Sequence, residues 1–101
     1  MAEGQTLTEG KMMTEIPSSI RRQAMSREFQ PSVRIGKTGV NENIIGEIDA
    51  QLTKRKLVKI KINKGIYDRN ARNLVWEHLA EQTSSVLVLS RGNVGVLWRS
   101  S

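Results

Sequence analysis

Two glycines, Gly36 and Gly39, bracket Lys37 and Thr38. Glycines let the chain turn sharply and leave no side chain to hold a ligand backbone away. A helix opening just beyond such a turn offers free amide donors and a partial positive charge, which suits phosphate. Lys37 would add a mobile cation and Thr38 a hydroxyl donor. In some RNA-binding modules a GxxG loop grips the nucleic-acid backbone in this way. The same tetrad also fits a plain turn between two elements. Nucleotide hydrolysis is disfavoured, because the phosphate-binding loop of those enzymes needs four residues between its glycines and then Lys-Ser/Thr. Here Val40-Asn41 follows Gly39.

The second concentration of chemistry is cationic. Lys54, Arg55, Lys56, Lys59, Lys61 and Lys64 fall within eleven residues, and no acid occurs from Gln51 to Tyr67. Lys59 and Lys61 alternate with Val58, Ile60 and Ile62, so they share one face of a strand. Arg34 can join them from an earlier strand, and Arg91 sits at a later turn. Lysines on an exposed sheet face can serve only solubility and discourage edge pairing, yet a solvated face ordinarily mixes signs. The candidate polyanion-contacting set is Arg34, Gly36, Lys37, Thr38, Gly39, Lys54, Arg55, Lys56, Lys59, Lys61 and Arg91. Over the whole chain sixteen Lys and Arg stand against ten Asp and Glu, a formal +6 with a pI near 10.2. Residues 1–16 carry −2 and the remainder +8. A basic domain behind an acid-leaning leader points to a polyanionic partner.

Other chemistries lack their residues. There is no cysteine, hence no disulfide, thiol nucleophile or thiolate metal site, and one histidine, His78, excludes the usual multi-histidine zinc centres. His78 is expected on the buried side of its helix, with no nucleophile or orienting acid beside it. Glu47 and Asp49, two apart on a helix, do not face each other. The four aromatics, Phe29, Tyr67, Trp76 and Trp98, leave the basic strand without a base-stacking platform. Trp76 and Trp98 read as packing residues. No apolar run suits a membrane span, and the N-terminus lacks the apolar stretch of a secretory signal, so a cytoplasmic location is expected. The expectation is a non-catalytic monomer with no cofactor, no metal, no membrane and no small-molecule substrate. An adaptor whose basic face meets an acidic protein is the alternative to RNA.

The elements that must position these residues follow from patterning. Residues 1–16 read as a flexible leader and residues 17–99 as one domain. Ser18 or Ser19 can cap a short helix reaching about Phe29 and stopped by Pro31. Ser32–Ile35 alternates as a strand. Asn41 caps a helix with Glu42 in its first turn and Ile44, Ile45, Ile48 and Leu52 as its core stripe, ending near Lys54 or Arg55. Leu57–Asn63 is the clearest strand. A third helix, Asp68–Thr83, places Ala71, Leu74, Val75 and Leu79 on one side, with Trp76 at the border. Val86–Leu89 and Val94–Trp98 form a hairpin about Arg91-Gly92-Asn93. The order α-β-α-β-α-β-β implies an α+β domain with a small four-stranded mixed sheet.

The run Pro31-Ser32-Val33-Arg34-Ile35-Gly36-Lys37-Thr38-Gly39-Val40-Asn41-Glu42-Asn43 resembles the signature of the CRM domain (chloroplast RNA splicing and ribosome maturation) of YhbY-type proteins. That signature is a proline-led strand, a GxxG loop holding a basic residue, and a helix opening with a polar cap and an acid. Leu57–Lys61 is similar to the family's basic second strand, and Val86–Leu89, Gly92 and Val96–Arg99 to its closing hairpin. The resemblance spans about residues 17–99. It implies a fold like the C-terminal domain of bacterial translation initiation factor three. It also implies binding to structured RNA, with Gly36, Lys37, Thr38 and Gly39 as the contacting loop and precursor large ribosomal subunits as the partner. Trp98 stands where a tyrosine is common, and the leader has no family counterpart.

Overall fold

Asn41 and Asp68 set the starts of the two long helices. A computed structural model describes residues 16–100; of the expected leader only Ile16 falls within them. The elements are α1 (Ser18–Met25), β1 (Val33–Ile35), α2 (Glu42–Arg55), β2 (Leu57–Ile62), α3 (Arg69–Gln82), β3 (Val86–Arg91) and β4 (Val94–Trp98). The Asn41 side chain accepts the Ile44 N–H at 2.9 Å and that of Asp68 accepts the Ala71 N–H at 2.8 Å, each satisfying an orphan donor of its helix. Helix α2 ends where Lys56 turns left-handed, with φ 69°.

α1 differs from expectation at both ends. No serine side chain caps it; the Pro17 carbonyl accepts the N–H groups of Ile20 and Arg21 at 3.0 and 3.1 Å. The helix stops at Met25, ahead of Phe29. Ser26 is extended, its hydroxyl accepts the Glu28 N–H at 3.2 Å, and its carbonyl accepts the Phe29 N–H. Local bonds of this type compete with helix propagation.

The strands form one mixed sheet in the order β1-β2-β4-β3. β1 and β2 are parallel; β4 pairs antiparallel with both β2 and β3. The β2–α3–β3 connection therefore leaves a gap that β4 fills. On one face Val33, Ile35, Val58, Ile60, Ile62 and Leu97 pack against Ile48 and Leu52 of α2 and Trp76 and Leu79 of α3. On the other face Leu57 and Val96 pack against Ala24 of α1, flanked by Ile20, Phe29, Val88, Leu89 and Trp98. The result is three layers: two helices, the sheet, and one short helix.

The stripe of α2 matches expectation, with Ile48 and Leu52 fully buried and Ile44 and Ile45 packed beside them. The buried face of α3 matches only in part: Leu79 is buried and Val75 packs against the core as expected, but Leu74 and His78 do not. Trp76 is 1% exposed and Leu74 65% exposed, and His78 is exposed instead of buried. The reason lies on β4. A Cβ on Gly95 would stand 2.8 Å from two carbons of the Trp76 ring, so the missing side chain admits the indole flat against the strand. Seating the indole turns the helix by about one residue, roughly 100°, and carries Leu74 and His78 to the outside.

Arg99 locks the far end of the sheet. Its guanidinium donates to the Asp49 carboxylate at 2.7 Å, the Asp49 carbonyl at 3.0 Å, the Thr53 hydroxyl at 2.8 Å and the Thr83 carbonyl at 2.8 Å. One side chain thus ties β4 to α2 and to the C-terminus of α3. Among the described residues no helix is long and apolar enough to cross a membrane, and no group of His, Cys, Asp or Glu could hold a metal ion.

Candidate nucleic-acid interface

The Gly36–Gly39 loop is a turn exposed at its tip, with Gly36 half-buried and Gly39 buried against Tyr67. The Gly39 N–H donates to the Gly36 carbonyl at 2.9 Å and closes it. Gly39 has φ +71°, a conformation that favours glycine, and a Cβ there would lie 2.5 Å from the Tyr67 hydroxyl. That hydroxyl accepts the Val40 N–H at 3.3 Å, so Tyr67 fixes the loop where it passes into α2. The Asn63 N–H donates to the Ile35 carbonyl at 2.8 Å, continuing the β1–β2 ladder to the foot of the loop. Lys37 and Thr38, at the tip, are exposed. The N-terminal end of α2 follows at once, its positive pole beside the loop, with Glu42 the acid in its first turn.

The sheet brings some of the candidate cations to this loop and not others. Arg34 of β1 is in register with Lys61 of β2, Lys61 with Val94 of β4, and Val94 with Arg91 of β3. Arg34, Lys61 and Arg91 are all exposed and form one row across the sheet at the loop end. Strands lie about 4.8 Å apart, so the row extends roughly 15 Å. Lys64, in the turn after β2, borders the same edge. Like charges in register on adjacent strands cost stability, and among the described residues the single ion pair is Arg99–Asp49. Opposing cations held in line, without acids between them, are suited to an anionic chain laid across them.

Lys59 departs from its expected role. The face it shares with Lys61 is open only at the loop end, because α1 covers the rest. Its amine donates to the Phe29 carbonyl at 2.7 Å and stands 5.7 Å from the centre of the Phe29 ring. It anchors the segment after α1 to the sheet. Lys54, Arg55 and Lys56 close α2 at the opposite end of β2, about 20 Å from the loop by the rise of a six-residue strand. There they complement the negative pole of α2. The expected single basic track is thus divided into two separate groups.

Over residues 14–99 the sequence matches the CRS1/YhbY (CRM) domain. The chain belongs to that family. It is 33% identical over 76 residues to the probable RNA-binding protein YqeI of Bacillus subtilis, covering 75% of this chain and 77% of the relative. An RNA-binding protein of Haemophilus influenzae is 27% identical over 77 residues, with 76% of each chain covered. The solution structure of SAV1595 from Staphylococcus aureus, a proposed RNA-binding protein, superposes with a TM-score of 0.68 at 30% identity, covering 86% of this chain and 91% of that one. In this CRM chain Tyr67 is the site residue that sequence reasoning passed over. Its contact with Gly39 joins distant segments, and no local spacing announces it.

Proposed function

We propose that this CRM chain is a non-catalytic RNA-binding protein. It holds structured RNA by the Gly36–Gly39 loop, exposed at its Lys37-Thr38 tip, and by the adjoining row Arg34, Lys61 and Arg91. The observation that carries the reading is the register of Arg34 with Lys61 beside the foot of that loop. The pairing costs the sheet stability by itself, and a phosphate backbone across it turns that cost into attraction. The names of the relatives and the +8 carried by residues beyond 16 support RNA as the polyanion. The resemblance to stand-alone YhbY-type proteins supports ribosomal RNA, and an assembly step of the large subunit, as its setting. The test is sedimentation of the tagged chain from its own cells. Migration with large-subunit precursors, abolished by RNase, is the expected result. A complex that survives RNase and yields no RNA contradicts the reading and favours an acidic protein partner.

A further inference from the structure

Where α1 stops at Met25 the sheet beneath it is left partly bare. Ala24, Met25, Lys59, Leu89, Arg91 and Val94 line a pocket of about 220 Å³ there. Its walls are of two kinds. Ala24, Met25, Leu89 and Val94 present apolar surface, and the Lys59 stem completes the floor while its amine reaches away to the Phe29 carbonyl. Arg91 supplies a cation at the edge, and no acid contributes to the lining. Met25 is 66% exposed, one of the two large apolar side chains left open among the described residues.

The pocket is continuous with the cation row. Val94 belongs to both, lying in register between Lys61 and Arg91. An occupant must therefore offer a flat or compact apolar body attached directly to a negative charge. A free apolar ligand would leave the cations unanswered, and an acidic peptide would leave the apolar floor so. We propose that the pocket seats one unstacked RNA base whose phosphate rests on Lys61 and Arg91. The inference builds on the RNA reading above and adds to it a contact with the base. The Met25 thioether can lie against the ring, since sulfur packs favourably with π systems, while Arg91 at the pocket edge answers the attached phosphate. The pocket is too small for a base pair, so it selects RNA that can release a base from its stack.

The test uses the full chain and two probes, a single-stranded oligoadenylate of about ten nucleotides and the same oligomer annealed to oligouridylate. Base seating is worth roughly tenfold or more in affinity per site. Met25→Ser removes apolar wall without changing charge, at a position exposed enough to leave folding intact, which a thermal melt verifies. The variant is expected to bind the single strand about tenfold more weakly than wild type, with an unchanged salt slope and unchanged affinity for the duplex. Equal single-strand affinity in variant and wild type overturns the base pocket and leaves the backbone reading standing. Wild-type chain that binds neither probe overturns both.

Discussion

At the scale of single residues, Gly39, Tyr67 and Lys59 carry the most specific consequences. Gly39 combines φ +71° with the Tyr67 hydroxyl 2.5 Å from where a Cβ would stand. Left-handed backbone costs a non-glycine residue about 1 kcal/mol, and moving Tyr67 adds a similar amount. Gly39→Ala is therefore expected to cost about 2 kcal/mol in urea unfolding, whereas an alanine at a glycine with open space around it should cost less. Lys59→Met tests the reassignment of that lysine. Removing a charged donor from the Phe29 carbonyl should cost about 1 kcal/mol at this half-buried site while leaving the salt dependence of RNA binding unchanged. A flattened salt slope with unaltered stability would return Lys59 to the RNA surface. The alternation of Leu57–Ile62 places Lys59 and Lys61 on the same side, and that much was legible in the sequence. That α1 would cover one and spare the other depends on packing between distant segments, which strand periodicity does not encode.

At the scale of elements, the features written locally were the ones that could be read. Helix α2 announces itself by its cap, its first-turn acid and four apolar residues at helical spacing, and it forms as expected. The face of α3 was misjudged in part because hydrophobicity alone ranks Leu74 as core, whereas the site is chosen by a tryptophan that needs a gap in another element. Gly95 provides that gap, and the match between residues 76 and 95 exists only after folding. Gly95→Ala drives a methyl group into the indole and is expected to cost about 2 kcal/mol, or roughly 10 °C of melting temperature. An unchanged melt would mean the α3–β4 contact is looser than described. Arg99→Met is expected to lower the melt by a comparable amount, since it leaves the carbonyls of Asp49 and Thr83 without their charged donor.

At the scale of the whole molecule, the positive charge is sorted by the topology into a loop-end row and a helix-end triplet. An RNA of about three nucleotides can reach only one of them. Arg34→Gln with Lys61→Gln should reduce the salt slope for an oligomer of about three nucleotides by about 1.5, from the loss of two phosphate contacts. Changing Lys54, Arg55 and Lys56 together to Gln should leave that slope in place and affect only longer RNAs that span the molecule; equal effects of both sets would contradict the division. The sequence made the six clustered cations look like one surface because they are close along the chain. Folding runs β2 back along α2 toward the loop end, which carries Lys61 away from Lys54, Arg55 and Lys56 and brings Arg34 and Arg91, remote in sequence, into line with it. The central claim remains that the turn before α2 is where RNA is held. Filter binding of wild type and Lys37→Glu to one structured RNA at one salt concentration tests it most directly. The account predicts at least about a tenfold loss of affinity with an unchanged melting temperature, because a phosphate-facing charge is reversed on a tip that bears no packing; equal affinity of the two proteins would contradict it.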